Sequence, residues 1–391
     1  MKKEFDFLGN LIKKISINLL FMLISYIIPK NNNLYIFGGN GGKGFSGNSK
    51  ALFLYFKNKG KKVFYITNSD IKNLDPKFKN YFIEINNFKN YLLFLRAKYI
   101  FIDGMTWEIS PLNFILGRFN IVNLWHGEPI KKIILSDKNY FKGNNFKKYI
   151  YTKLYFNKIK FGVTGNKNSK SVLNEAFNND FKITGLPRNE VFFDKKGIFE
   201  VFEIKKLLNI DSYKKIIVYA PTWRDKRDSF SPFSNEFLEK LNDFLIANNY
   251  IFLVKGHLGT KNIDLDKKSN IKDISKIDFD IQELLKHTDI LITDYSSIYI
   301  DFLLTKNPII FYAFDLDKYL SEDRAMYYNY KDVILKNTLT QDEYKIIDII
   351  AKIDKIIKTK KYIYEYDKLL DFFHKYKKGG YCKKIVSELD K

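Results

Sequence analysis

Two histidines stand at the ends of apolar runs. In "NLWHGEPIKK" (123–132), His126 follows Leu124 and Trp125; in "LVKGH" (253–257), His257 follows Lys255 and Gly256. An imidazole at the carboxyl end of a strand titrates near neutrality and can take a proton from a hydroxyl. Beside an ammonium group it can instead neutralise charge on a departing phosphate. Gly127 lets backbone approach a substrate, and Lys131 and Lys132 add positive charge. Each stretch taken alone equally suits a loop histidine with satisfied hydrogen bonds. His287 and His374 fall in helical patterns and read as structural.

A third seam lies in "ILITDYSSIYIDFLL" (290–304), where Thr293, Asp294, Tyr295, Ser296 and Ser297 separate an apolar run from an amphipathic one. A helix beginning near Ser296 or Ser297 leaves its first N–H groups unpaired, with the positive end of its dipole toward any anion. Asp301, four residues after Ser297, shares that helix face and can accept from a sugar or polyol hydroxyl. One serine suits a helix cap; two, with Thr293 and Asp294 also at the strand end, point to a bound phosphate. "YAPTWRD" (219–225) places Pro221, Thr222 and Arg224 after another apolar run, and "GLPRN" (185–189) adds Arg188. Arginine grips phosphate with two parallel hydrogen bonds. The Gly-rich "FGGNGGKGFSGNSK" (37–50) has neither dinucleotide nor P-loop spacing. It reads as a loop closing over an acceptor or as plain surface.

These groups need strands to present them. From residue 34 short apolar runs alternate with helical patterns: "LYIFGG", "NSKALFLYFKNK", "KKVFYIT", "FKNYLLFLRAK", "YIFID". A second such series begins near 213 with "KKIIVYAPTW", "NEFLEKLNDFLIANN" and "YIFLVKGH". This alternation predicts parallel sheets covered on both faces by helices. The expected organisation is 1–30 as a membrane-associating helix, 31–195 as one Rossmann-like domain, and 196–391 as a second Rossmann-like domain with terminal helices. Doubly wound sheets bind ligands at the carboxyl ends of their strands, where the polar motifs fall.

With 391 residues and 46% hydrophobic content the chain can bury large cores, and 28% charge excludes a multi-span membrane protein. A net charge of +22 favours anionic partners, but it is spread along the chain with no dense basic block or nucleic-acid-binding signature. A single cysteine, Cys382, excludes an internal disulfide and Cys/His metal clusters. The uncharged "ISINLLFMLISYII" (15–28) is shorter than the ~18–20 apolar residues of a spanning helix, and no small-residue cleavage site follows it. It reads as a buried or lid helix, or as one lying in a membrane interface between basic flanks.

Taken in order, "WHGEPIKK", "GLPRN", "YAPTWRD", "KGH", "ITDYSSIYIDFLL" and "PIIFYAFDLDKY" resemble the CDP-glycerol glycerophosphotransferase family of teichoic acid primases, polymerases and capsule relatives. The resemblance runs from about 34 to 330. It implies an α/β, GT-B-like fold, two doubly wound domains facing a central cleft. It implies transfer of polyol phosphate from CDP-glycerol to a hydroxyl of a lipid-linked or polymeric acceptor, with release of CMP. Donor contacts would come from Trp125, His126, Gly127, Glu128, Pro129, Arg188, Pro221 and Thr222. Lys255, Gly256, His257, Ser296, Ser297 and Asp301 would complete them. His126 becomes the candidate base and His257 the candidate stabiliser of the pyrophosphate. No cofactor, metal or nucleic acid is implied. The location implied is the cytoplasmic face of a bacterial inner membrane, bound peripherally to anionic lipid. The family has Thr where Glu128 stands and Pro where Leu258 stands, so Glu128 would put a carboxylate near an anionic donor, or face the acceptor, or mark a different polyol. The absence of the long amino-terminal region of some polymerases favours a primase-like or capsule-type member. CDP-ribitol as donor, a nucleotide-sugar glycosyltransferase and a non-catalytic polyanion-binding protein are the competing readings.

Overall fold

Strand pairing within both sheets is parallel, because crossovers such as the helices Gly47–Asn58 and Asn235–Asn248 carry the chain back to the end where the preceding strand began. The computed structural model describes residues 20, 22–39, 44–67, 76–84, 88–104, 117–137, 140, 145–222, 233–256, 269–322, 325–334, 346–359, 366–389 and 391. The first sheet has seven strands in the order β3-β2-β1-β4-β5-β6-β7, all parallel. They are β1 (Asn31–Gly38), β2 (Lys62–Ile66), β3 (Phe82–Ile83), β4 (Ala97–Ile102), β5 (Ile121–Asn123), β6 (Ile159–Thr164) and β7 (Phe181–Ile183). The second has five, in the order β10-β9-β8-β11-β12. These are β8 (Lys215–Ala220), β9 (Tyr250–Val254), β10 (Ile271–Asp273), β11 (Ile290–Thr293) and β12 (Ile309–Phe311).

Both sheets reverse direction beside their first strand, β1 against β4 and β8 against β11. At such a switch point the loops after the two flanking strands diverge and leave a crevice. Apolar side chains cover both faces of each sheet: Phe37, Phe101 and Val122 on one face of the first and Ile36, Ile100 and Ile121 on the other.

The helices follow local signals. Helix α1 (Gly47–Asn58) closes the first crossover and buries Leu52, Phe53 and Phe56. Helix α2 (Lys167–Phe177) starts at Asn166, whose side chain accepts from Ser169 N at 2.8 Å, and ends at Asn178 in the left-handed conformation. Helix α3 (Asn235–Asn248) is capped by Ser234 and buries Phe237, Leu238, Leu241 and Leu245, the stripe its sequence shows.

The carboxyl terminus departs from the simple division expected of the chain. Helix α4 (Tyr366–Phe373) packs into the second lobe's core, but helix α5 (Tyr381–Leu389) returns to the first, where Cys382, Ile385 and Leu389 pack with Phe101 and Val163. Between them Asn166 Nδ2 donates to Phe373 O at 2.7 Å, and the buried His374 ring contacts Ile300 O at 2.7 Å. The crossover ties the lobes together. His374 thus has the structural role its sequence context suggests.

Candidate active site

The loops of both lobes meet at one cleft. It encloses about 250 Å³ and is lined by Trp125–Ile130, Lys131 and Ile133 from the first lobe and by Pro221, Thr222, Ser296 and Ser297 from the second. The second-lobe residues follow β8 and β11, the two strands flanking that sheet's switch point.

His126 follows β5 and is the exposed residue in a run buried from Ile121 to Ile130. Its Nδ1 lies 3.3 Å from the carbonyl oxygen of Asp103, at the end of β4. That contact fixes the proton on Nδ1 and leaves the Nε2 lone pair free to act as a base. Protein atoms that replace part of its hydration hold the imidazole down to about 4, helped by the nearby Arg188 guanidinium and opposed by the Asp103 contact. The ring packs on Trp125, with centroids 3.8 Å apart. Trp125 itself has φ 50°, a left-handed conformation rare for a bulky residue.

Three groups hold this turn. Asn48, wholly buried on α1, donates to Leu124 O (3.0 Å) and Trp125 O (2.7 Å) and accepts from Arg188 N (3.0 Å). Asn123 Oδ1 accepts from Trp125 N at 2.9 Å. Arg188 donates one Nη to His126 O and the other to Asp301, forming an ion pair across the lobes. A Cβ on Gly127 would lie 3.0 Å from Arg188 Nη2 and 3.4 Å from Ser297 Oγ, so glycine is required where the lobes approach.

Several residues expected to touch ligand do other work. Asp301 does not face the cleft: it is 0% exposed and accepts from Arg188, from Asn189 Nδ2 at 2.8 Å and from Gln282 Nε2 at 3.0 Å. Arg188 therefore acts as an interlobe tie through its two terminal nitrogens. Thr293 is buried, donating to Ala220 O at 2.7 Å across β11 and β8. Asp294 is buried too and accepts from Thr222 N at 2.8 Å and Tyr295 N at 2.6 Å, which shapes the 221–222 turn from behind. Lys255 donates to Ile277 O at 2.9 Å and lies over the Phe279 ring; burial lowers its pKa. It pins the 274–277 turn away from the cleft wall. A Cβ on Gly256 would come within 3.0 Å of Pro221, so Gly256 supports the wall from outside.

Glu128 settles the question its sequence raised. Its backbone lines the cleft, but its carboxylate points inward, accepting from Thr164 Oγ1 at 2.9 Å and Gly165 N at 2.6 Å. Burial pushes the carboxyl up to about 7, against the pull of these hydrogen bonds and with help from the negative Asp301. It puts no carboxylate toward an anionic donor. Ser296 and Ser297 do line the cleft, and Ser297 caps its helix without a side-chain hydrogen bond. That helix, Ile298–Phe302 between β11 and β12, has five residues, so its dipole is small. His257 and Arg224 lie outside the described residues, as do 40–43 of the Gly-rich loop and 15–19 and 21 of the amino-terminal segment.

Sequence reasoning passed over Asn48, Asn189 and Gln282. Asn48 lies in the polar opening of α1, Gly47–Lys50, where nothing in the sequence marks it as buried, and the partners of all three are remote in sequence.

A profile of the CDP-glycerol:poly(glycerophosphate) glycerophosphotransferases matches residues 20–391. The chain belongs to this family. It is 32% identical over 397 residues to a teichoic acid poly(glycerol phosphate) polymerase of Bacillus spizizenii, covering 95% of each chain. It is 33% identical to a teichoic acid glycerol-phosphate transferase of Staphylococcus aureus, covering 88% of this chain and 90% of that one. The solved wall teichoic acid polymerase TagF superposes with a TM-score of 0.77 at 23% identity, over 100% of this chain and 98% of that one. The fold of this glycerophosphotransferase is accordingly GT-B-like.

Proposed function

We propose that the enzyme transfers glycerol phosphate from CDP-glycerol to a hydroxyl of a polyol-phosphate or glycan acceptor carried on lipid, releasing CMP, in teichoic acid synthesis. The observation that carries the residue assignments is the single cleft with His126 on one wall and Pro221, Thr222, Ser296 and Ser297 on the other. The acceptor oxygen attacks the β-phosphorus of CDP-glycerol. His126 Nε2 takes its proton, the bond from that phosphorus to the bridging oxygen breaks, and CMP leaves with the electron pair. A phosphodiester joins acceptor and glycerol. Ser296 and Ser297, with the N–H groups that follow them, hold the diphosphate, while Lys131 on the opposite wall adds positive charge. The bound diphosphate raises the basicity of His126 by its charge, bringing the imidazole into a useful range as the substrate arrives. His257 is assigned to stabilising the leaving CMP.

A peripheral membrane location is part of the same reading. Among the described residues no helix is long and apolar enough to cross a membrane. The helical segment 22–27 anchors through Ser25, which accepts from Arg118 N at 2.9 Å, while Leu20, Leu23, Tyr26 and Ile27 are exposed. The helix Asn145–Asn157 exposes Tyr149, Ile150 and Leu154 among lysines. Apolar stripes with basic flanks and a net charge of +22 suit the surface of anionic lipid.

The test is CMP release from CDP-glycerol and from CDP-ribitol, with a polyol-phosphate acceptor free in solution or carried on anionic vesicles. CMP from CDP-glycerol, faster on vesicles, is the expected result. Release from CDP-ribitol alone would reassign the donor, and release of UDP or GDP from nucleotide sugars would overturn the reaction class.

A further inference from the structure

One carboxamide joins the first lobe's helix to the two residues that precede the proposed base. We infer that Asn48 is a positioning residue, setting the orientation of His126 by bracing the left-handed turn at Trp125; the inference rests on His126 being the base. The Asn48 Nδ2 group spends both hydrogens on consecutive carbonyls, Leu124 O and Trp125 O, at 3.0 and 2.7 Å. Consecutive carbonyls point the same way only where the chain between them leaves the extended conformation, which is what φ 50° at Trp125 accomplishes. In β geometry these oxygens would diverge and one amide could not reach both. The Asn48 side chain and the Trp125 conformation therefore require each other.

The same carboxamide orients the second support of His126. Asn48 Oδ1 accepts from Arg188 N at 3.0 Å, and the Arg188 side chain then reaches His126 O and Asp301. Asn48 is 0% exposed and satisfies its polar atoms within this one cluster. Its neighbour Ser49 donates its backbone N–H to Asp103 Oδ2 at 3.2 Å, and its hydroxyl bridges Asp103 Oδ1 (2.7 Å) and Gly38 O (2.8 Å), which fixes the strand end whose carbonyl meets His126 Nδ1. The groups set against the imidazole are thus the Asp103 carbonyl and the Arg188 guanidinium, and the residues that carry them are both held by this two-residue stretch at the start of α1. A stripped turn would let Trp125 relax to an extended conformation. His126 would then swing off the Asp103 carbonyl, and the tautomer that leaves Nε2 unprotonated would no longer be favoured.

The experiment compares wild type, Asn48→Ala, Asn48→Asp and a control, Leu245→Ala, which removes second-lobe core contacts far from the cleft. Each is measured for CMP release and, without substrate, for the nitrogen chemical shifts of the His126 ring by NMR. Asn48→Ala is expected to lower kcat by about 30- to 100-fold, the scale of an ångström-sized misplacement of a reacting group, with KM for CDP-glycerol changed less than about threefold. Its His126 signals are expected to lose the single Nδ1–H tautomer, which Leu245→Ala retains. Asn48→Asp keeps the acceptor toward Arg188 but turns a carboxylate onto two carbonyls, so it is expected to show the same loss. It is the variant to compare if Asn48→Ala does not fold. An unchanged His126 tautomer in the folded variant, or kcat within threefold of wild type, would overturn the role. So would failure of both variants to fold, which assigns Asn48 to the fold itself. If wild type releases no CMP from either CDP-polyol, the functional reading fails on its own, while the ring spectra still decide whether Asn48 orients His126.

Discussion

The two walls of the cleft are built on opposite plans. On the first-lobe wall almost every polar group is committed to another part of the protein: Asn48 to the Trp125 turn, Arg188 to His126 O and Asp301, Glu128 to Thr164 and Gly165. On the second-lobe wall Ser296 and Ser297 stand half-exposed at a strand end, and Ser297 makes no capping bond. A reacting base must be held within a fraction of an ångström, which demands a tightly bonded support. A phosphate site needs the reverse, donors whose partner is the ligand. On the proposed reading, the first wall positions a group and the second receives one.

The largest test of that contrast removes the base. His126→Ala is expected to lower turnover by about 10² or more while leaving KM for CDP-glycerol within a few-fold, since the donor is received by the other wall. Steady-state kinetics with varied donor decide it, and a loss confined to KM would exchange the roles of the two walls. Next in size, the double change Ser296→Ala with Ser297→Ala is expected to raise KM for the donor by about tenfold, the loss of one or two hydrogen bonds to a charged group. Thermal unfolding should move little, because those hydroxyls support few protein contacts. A large fall in melting temperature with unchanged KM would mean that the serines are structural and the contrast is wrong.

The smallest effect concerns Glu128. Its carboxyl, raised to about 7 by burial, binds a proton more tightly folded than unfolded. That stabilisation is complete below the ordinary carboxyl range, about 4.5, and is lost as pH rises toward and through 7. Glu128→Gln keeps the shape without the titration. Urea unfolding at pH 5 and pH 8 should show the variant gaining on wild type by about 2–3 kcal/mol over that interval. A constant difference would show that Glu128 does not hold its proton more tightly in the folded state.

Much of this enzyme was legible before any coordinates. The alternation of apolar runs and amphipathic segments fixes strands such as β8 and β9 and a helix such as α3, because periodicity and capping residues act over a few neighbours. The clustering of "WHGEP", "YAPT" and "YSS" at strand ends placed Trp125–Pro129, Pro221, Thr222, Ser296 and Ser297 on a shared cleft. What sequence misjudged were the residues one layer behind. Asp301 shares a helix face with Ser297 by spacing, but the helix is buried on that face against Arg188, Asn189 and Gln282. Spacing along a helix says which side chains are neighbours; it does not say whether water, a ligand or another lobe lies beyond them.

The amino-acid sequence by itself determined the strand–helix alternation, the family and which motifs fall at strand ends, because these depend on local periodicity and on motifs within a few residues. Only the tertiary structure decided that Asn48 braces Trp125, that Arg188 ties the lobes, that Glu128 turns inward and that α5 returns to the first lobe. Those outcomes depend on which polar atoms meet after separations of up to 290 residues, as with the Tyr99 hydroxyl and Leu389 O. A buried polar atom must find a partner wherever the fold provides one, and no short stretch of sequence names that partner.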